Sequence, residues 1–520
     1  MRTQPLRLTL ALLACSGPWS AAVSQDAARV RGAVTAHIKA NDTRILSDLA
    51  ELLAIPNLAS DSVNIWRNAR HLVRLLDARG IRTQLLEAPG SPPAVFGELK
   101  TPGATRTVVF YAHYDGQPVD TTQWTNPPWA PTLRTRALSD GGTVIPLPTQ
   151  AGSVQGEWRI YARSASDDKS PIIAFLAALD ALRGAGIGPS VNFKFFFEGE
   201  EEAGSEHARD MLTRHRDLLA ADLWIFGDGP VHQSRRQLVS FGVRGVMGVE
   251  LTLFGPARVL HSGHYGNWAP NPLVGMAHLI ASMRDDDGRI LIDGFYDDVV
   301  PPTRAEREAI AAAPAVDSAL RTELLLAGTE AGNAPLMERI MLPALNVRGL
   351  SGGGVGPLAT NAVPSVARAS IDFRLVPNQT PAHVRSLVEA HIRRQGYFVL
   401  DRDPTPEERL AHANVLKVIW EEGYPASRAD MSLPVSRAVV RATEMGAGER
   451  VIVVPTSGGS LPLYHFEEVL HTPLISLPIV NHDNNQHAAN ENLRLQNLFD
   501  GIQVYAGIIA HLGRVWGETP

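Results

Sequence analysis

Residues 192–205 read NFKFFFEGEEEAGS. An apolar run from Phe193 to Phe197, interrupted by one lysine, leads directly into Glu198, Glu200, Glu201 and Glu202. A short apolar and aromatic run bounded by glycine predicts a buried strand. Because charges that leave water lose several kcal/mol each, a buried strand that ends in carboxylates needs cations beside it. A divalent metal meets that need most compactly. A solvated acidic loop is the alternative interpretation.

Other predicted strands also end in metal-binding residue types. Strand 107–112 leads into His113 and Asp115, strand 158–162 is followed by Asp167, and strand 222–228 ends in Asp228. His487 follows a strand predicted at 473–480. Taken singly, each of these residues could equally be a structural histidine or part of a solvated loop. Together they provide the nitrogen and oxygen ligands that suit zinc, cobalt or manganese. Two metals about 3.5–4 Å apart, bridged by one carboxylate and a water, would use the whole set.

The spacing of apolar residues divides the chain into regions. Strands alternate with helices before residue 243 and again after residue 403, which predicts an α/β sheet with polar residues at its strand ends. Residues 249–253 and 367–375 instead alternate apolar and polar, which predicts a half-exposed antiparallel sheet covered by helices at 272–283 and 383–394. We therefore expect a catalytic domain at 25–243 and 403–520, with an α+β domain inserted at 244–402. A polar, alanine-rich stretch precedes a first helix at 42–54, a further helix is predicted at about 207–219, and 121–157 is predicted to be a long surface excursion.

The N-terminus has the pattern of a secretory signal. Arg2 and Arg7 precede the apolar run 8–14, and small residues follow up to Ser24, where cleavage is predicted. We therefore expect an exported protein, periplasmic or secreted, without a membrane-spanning segment. Cys15, the only cysteine, weakly resembles a lipoprotein-processing site, so a lipid anchor is the alternative. The net charge of −6 gives no reason to expect nucleic-acid binding.

Four motifs occur in a fixed order along the chain. They are His113-Tyr114-Asp115-Gly116, Ser166-Asp167-Asp168-Lys169, Glu198-Gly199-Glu200-Glu201-Glu202-Ala203-Gly204-Ser205 and Gln486-His487-Ala488-Ala489-Asn490-Glu491. The combination resembles the co-catalytic di-zinc exopeptidases, which include carnosinases, cytosolic dipeptidases, glutamate carboxypeptidase, aminoacylases and succinyl-diaminopimelate desuccinylase. The resemblance covers nearly all of the chain after the signal. It implies a mixed-sheet α/β catalytic domain with an inserted α+β lid and dimerisation domain.

The resemblance also implies a role for each motif residue. Asp167 would bridge two zinc ions, with cobalt or manganese as alternatives, and would precede a cis peptide bond to Asp168. His113 and Asp228 would complete one metal site, and Glu202 and His487 the other. Glu201 would be the general base, and Asp115 would accept a hydrogen bond from the His113 ring.

In the inserted domain, the resemblance implies residues that contact substrate. His261 would be a lid histidine that reaches the active site of a dimer partner; a structural histidine is the alternative. Arg374 would hold the substrate carboxylate, with Gly459, Ser460 and Asn361 as further contacts; the alternative for Arg374 is a solvated position on an alternating strand. A homodimer through the lid domain is implied.

These observations predict an exported, zinc-dependent dipeptidase or carboxypeptidase. A water that bridges the metals would attack the peptide bond, and Glu201 would act as its base. The expected substrate is a small peptide with a free carboxylate. An N-acyl amino-acid deacylase would use the same metals, and a non-catalytic binding protein on this fold is the alternative of another class.

Overall fold

The computed structural model describes residues 18–517, with side chains from residue 25. Cys15 and most of the predicted signal therefore lie outside the described residues. The helices are α1 Pro18–Leu53, α2 Ser62–Asp77, α3 Lys169–Gly184, α4 Ala208–Arg214, α5 Arg216–Leu219, α6 Ser262–Tyr265, α7 Pro272–Met283, α8 Arg304–Ala312, α9 Asp317–Glu323, α10 Glu330–Asn333, α11 Leu336–Ile340, α12 Pro381–Arg394, α13 Pro406–Ala411, α14 Pro434–Ala447, α15 Leu463–Leu470 and α16 Leu495–Val515.

The strands follow the same chain order. They are β1 Arg82–Leu86, β2 Ala94–Leu99, β3 Thr107–His113, β4 Thr132–Arg134, β5 Val144–Ile145, β6 Arg159–Tyr161, β7 Asn192–Glu198, β8 Leu223–Phe226, β9 Leu238–Ser240, β10 Gly242–Val243, β11 Gly245–Phe254, β12 Leu260–His261, β13 Ala344–Ser351, β14 Ala362–Val363, β15 Val366–Leu375, β16 Phe398–Leu400, β17 Val415–Trp420, β18 Ser427–Arg428, β19 Ile452–Val454, β20 Leu474–Ser476 and β21 Asn492–Arg494.

An eight-stranded mixed sheet forms the centre of the first domain, in the order β1-β2-β7-β3-β8-β20-β9-β19. Strands β7, β3 and β8 are parallel, so their carboxyl ends meet at one edge. Helices α1, α3, α14 and α16 pack together over one face. The other face is covered by an aromatic cluster that includes Tyr111, Phe196, Trp224 and Phe466. Burial on both faces explains why these strands are nearly continuous apolar runs.

The second domain contains a five-stranded sheet in the order β13-β15-β11-β17-β16. Alternate residues of β11 and β15, among them Val249, Leu251, Ala369 and Ile371, form a separate core with residues of α7 and α12. The predicted fold class, a mixed-sheet α/β domain with an inserted α+β domain, is confirmed. The sheet nevertheless continues past the predicted end at residue 402, because β17 pairs with β11 from Val415 to Trp420.

Three local predictions were wrong. Helix α1 begins at Pro18 rather than at residue 42, because Ala27, Val30 and Val34 follow helical spacing and are buried in the core. The excursion at 121–157 contains β4 and β5, which join β6 and β21 in a four-stranded sheet. The helix predicted at about 207–219 is two short helices that meet at His215. Between residues 18 and 517 no helix combines the length and apolar character needed to cross a membrane.

Candidate metal centre

The carboxyl edge of the central sheet brings the predicted ligands together. His113 is the last residue of β3, Glu201 and Glu202 lie in the 3-10 turn after β7, and Asp228 follows β8. Asp167 enters from the turn between β6 and α3, and His487 from the loop before β21. The parallel arrangement of the strands is therefore what gathers residues separated by more than one hundred positions in sequence.

Two groups of three residues are each placed to hold a metal ion. One is His113, Asp167 and Asp228; the other is Asp167, Glu202 and His487. The two carboxylate oxygens of Asp167 face different histidines: Oδ1 lies 2.9 Å from His113 Nε2, and Oδ2 lies 3.1 Å from His487 Nε2. Glu202 Oε2 lies 3.3 Å from His487 Nε2. Asp167 is thus shared, as a bridging ligand must be.

The ionisation of these side chains indicates that the site is built for cations. Burial and the charge of Asp167 raise the pKa of Glu202 to about 8 and that of Asp228 to about 6. Despite its burial, His113 has a pKa well above its usual range because the carboxylates of Asp115 and Asp167 lie beside its ring. Asp228 Oδ1 is buried without a hydrogen-bond partner among the described residues. Two divalent cations would compensate these carboxylates and use that free oxygen, and the nitrogen and oxygen donors suit zinc.

Asp115 organises the turn that carries Glu201 and Glu202. Its carboxylate accepts hydrogen bonds from Glu201 N at 3.1 Å and Glu202 N at 3.0 Å, and lies 3.4 Å from His113 Nδ1. One buried aspartate therefore binds the backbone of the next motif and lies next to the histidine ring. Glu201 lines the cleft with Oε2 3.8 Å from His113 Nε2, and burial and the neighbouring carboxylates raise its pKa.

Of the four glutamates between residues 198 and 202, only Glu202 belongs to a metal group, and Glu201 lies beside it. Glu198 instead accepts from the Tyr111 hydroxyl at 2.6 Å, and burial raises its pKa to about 7. Glu200 accepts from His207 N at 3.0 Å and lies 2.8 Å from His207 Nδ1. Both belong to the supporting structure of the turn.

The buried carboxylate of Glu491 was not assigned a role from the sequence. It accepts from the backbone N–H groups of Ser164, Ser166 and Asp167 at 2.9–3.0 Å, and from Arg163 Nη1 at 2.8 Å. These bonds hold the turn that presents Asp167, whose peptide bond to Asp168 is cis, as predicted. The last motif thus supplies a metal ligand and, four residues later, a support for the bridging residue.

Three of the four predicted carboxylate-binding residues, Arg374, Gly459 and Ser460, lie on the same cleft as the metal groups. Arg374 Nη1 donates to Ser460 Oγ at 2.8 Å, and Arg374 Nε donates to Asp372 at 3.0 Å. The cleft has a volume of about 1240 Å³, and Arg374, Gly459, Ser460, Glu201, Glu202 and His487 are among the residues that line it. Arg244, which the sequence analysis missed, supports this loop by donating to the Gly458 carbonyl at 2.9 Å.

His261 and Asn361 are close to each other but do not line this cleft. His261 ends β12 and Asn361 directly precedes its partner strand β14, and Ser262 N donates to the Asn361 carbonyl at 2.8 Å. Both side chains are exposed. Within one chain, therefore, the predicted lid contacts are separate from the metal groups.

Fold and site together define a hydrolase with two adjacent metal sites. The family model described as "Peptidase family M20/M25/M40" matches residues 109–511, and the chain belongs to this family. The protein is a metallopeptidase of the dipeptidase and carboxypeptidase type, and the prediction of two zinc ions per chain is confirmed. The resemblance inferred from the four motifs is also confirmed.

Several relatives match most of their own length. The Cys-Gly metallodipeptidase of Schizosaccharomyces pombe is 27% identical over 432 residues, which cover 82% of this chain and 83% of the relative. The Beta-Ala-His dipeptidase of Homo sapiens is 24% identical over 433 residues, covering 82% and 78%. Among solved structures, an M20 family metallo-carboxypeptidase from Sulfolobus solfataricus superposes with a TM-score of 0.73 at 27% identity, covering 90% of this chain and 99% of the other.

Proposed function

We propose that this chain hydrolyses small peptides that carry a free carboxylate, using a water activated between two zinc ions. The observation that carries the proposal is the shared cleft, which is lined both by the Arg374–Ser460 pair and by residues of the two metal groups. A guanidinium beside a hydroxyl suits a carboxylate, because both donate to its oxygens. Relatives named as Cys-Gly and Beta-Ala-His dipeptidases support the same substrate class.

Each side chain of the site has a separate role in the reaction. When bound, the zinc ions would lower the pKa of a water and polarise the peptide carbonyl. Glu201 takes a proton from the attacking water and returns it to the leaving amine. Arg374 and Ser460 bind the carboxylate of the substrate. Asp115 accepts a hydrogen bond from the backbone N–H of Glu201 and so holds Glu201 in place. Asp167, His113, Asp228, Glu202 and His487 hold the metals.

The test is a substrate panel with metal exchange. We expect zinc-loaded protein to cleave dipeptides with a free carboxyl terminus, to lose activity with a chelator, and to regain it with zinc, cobalt or manganese. C-terminally amidated dipeptides should react poorly because Arg374 and Ser460 then have no carboxylate to bind. Cleavage of N-acyl amino acids but not dipeptides would contradict the proposal, and so would activity that survives complete metal removal.

We propose also that the protein is a homodimer through the inserted domain and that His261 acts in the partner's cleft. The exposure of His261 and its absence from the lining of its own cleft support this assignment. At the partner's site its imidazole would stabilise the oxyanion of the transition state.

A mixture of two inactive variants tests the exchange of His261. In a hybrid dimer of Glu201→Gln and His261→Ala, one cleft has Glu201 and receives His261 from the other chain. Refolding the two variants together at equal amounts should therefore restore about a quarter of the wild-type activity by statistics of symmetric dimers. Activity that stays at the level of the separate variants, in a sample shown to be dimeric, would place His261 in its own cleft or in a structural role.

We propose finally that the protein is exported, on the basis of the basic, apolar and small-residue pattern of residues 1–24. Cleavage after Ser24 would leave α1 anchored through Ala27, Val30 and Val34. Intact-mass measurement of the protein recovered outside the cytoplasm should give an N-terminus at Gln25. A mass that begins at a lipidated Cys15 would replace the free form with an anchored one, and a protein that retains residues 1–24 inside the cell would contradict export.

A further inference from the structure

Residues 302–342, which we name the roof, provide part of the lining of the cleft that the metal ligands also line. They include α8 to α11 and belong to the inserted domain. Every roof residue that lines the cleft is apolar except Arg307, Asp317, Glu338 and Arg339. Two of these four residues are positively charged and two are negatively charged. Two of them form hydrogen bonds within the roof: Asp317 accepts from Leu336 N at 2.7 Å, and Arg307 donates to the Pro302 carbonyl. The roof therefore offers an apolar wall without a net charge.

One contact places this wall beside the carboxylate-binding loop. Ile340 packs against Gly458, so closely that a Cβ at Gly458 would lie 3.3 Å from Ile340 Cδ1. Gly458 directly precedes the Gly459–Ser460 pair that faces Arg374. A substrate carboxylate held there belongs to the carboxyl-terminal residue, so the side chain of that same residue is the nearest to Ile340.

A polar network attaches the roof to the catalytic domain. Glu306 pairs with Arg428 at 3.1 Å, and both side chains are largely buried. Arg428 Nε in turn donates to Thr456 Oγ1 at 2.8 Å, two residues before Gly458. Glu306 also closes a capping box with Thr303 at the start of α8. Roof and carboxylate-binding loop are thus held in one arrangement.

We propose that the roof forms the pocket for the side chain of the substrate's carboxyl-terminal residue, and that preferred substrates have a bulky apolar residue at this position. The inference rests on the proposed peptidase function and specifies its substrates. A cleft of about 1240 Å³ exceeds the usual range of about 300–1,000 Å³ for small-molecule sites and leaves room for such a side chain. The apolar lining near Gly458 gains free energy only when a substrate covers it.

Dipeptides of matched composition test the pocket. With the zinc-loaded full chain, kcat/KM for Ala-Leu and Ala-Phe should exceed that for Ala-Gly by about tenfold or more, the usual discrimination of an apolar pocket. Leu-Ala, which reverses the order, should not show this gain. Ala-Glu and Ala-Lys should be cleaved no better than Ala-Gly.

Variants assign the preference to the roof. Ile340→Ala and Leu336→Asp should reduce the ratio of kcat/KM for Ala-Leu to that for Ala-Gly by about tenfold. Leu325→Asp is the control, because Leu325 lies in the same segment, is 91% exposed and does not line the cleft; its ratio should match the wild type. Equal cleavage of Ala-Leu and Ala-Gly, or a preference for Leu-Ala, would overturn the pocket and leave the peptidase function standing. Failure to cleave any dipeptide would overturn both.

Discussion

Replacement of Glu201 by glutamine is expected to lower kcat by about 10²–10⁴-fold, the usual contribution of a general base. Glutamine has nearly the same shape but cannot accept the proton of the attacking water. The metal content should stay at two ions per chain, because Glu201 belongs to neither of the two ligand groups. The backbone N–H of residue 201 would still donate to Asp115, so the turn should keep its conformation.

Steady-state kinetics and elemental analysis of the same samples check this result. Glu206→Gln is the matched control, since Glu206 is exposed and lies on the same connection between β7 and α4. It should keep full activity and both metals. A Glu201→Gln variant that retains more than about a tenth of the wild-type kcat would exclude Glu201 as the base.

The strands of the central sheet could be predicted from sequence because both of their faces are buried. Such strands are nearly continuous apolar runs, as in residues 193–197, which contain one lysine, and residues 223–226, and these runs are recognisable without any tertiary information. The ligands at their ends could be predicted for the same reason. Once β3, β7 and β8 are parallel, His113, the glutamate turn and Asp228 must share one edge of the sheet.

Features that depend on tertiary pairing could not be predicted in this way. Strand β17 has its partner β11 more than 160 positions earlier, and nothing local shows that pairing. Similarly, the sequence alone does not distinguish Glu198 and Glu200 from Glu201 and Glu202. Only the positions of Tyr111 and His207 show that Glu198 and Glu200 are bound away from the metal site. Arg244 and Glu491 act through backbone groups of distant loops, which a sequence pattern does not record.

Loss of Asp167 is expected to remove both metals, whereas loss of His487 should remove only one. Asp167 provides a separate oxygen to each group, at 2.9 Å from one histidine and 3.1 Å from the other. His487 belongs to one group, and its removal leaves His113, Asp167 and Asp228 intact. Elemental analysis should therefore find close to zero metal ions per chain in Asp167→Ala and about one in His487→Ala.

The kinetic consequence follows from the same geometry. Without metal ions to polarise the carbonyl and the water, several kcal/mol of transition-state stabilisation is lost. The kcat/KM of Asp167→Ala should therefore be lower than that of the wild type by about 10³-fold or more. Asp210→Ala is the matched control, because Asp210 pairs only with Arg214 on the exposed side of α4 among the described residues; it should keep two metals and full activity. If Asp167→Ala still binds two ions, the metals do not share this carboxylate. If His487→Ala loses both ions, the two sites fill only as a pair, and His113, Asp167 and Asp228 do not hold an ion by themselves.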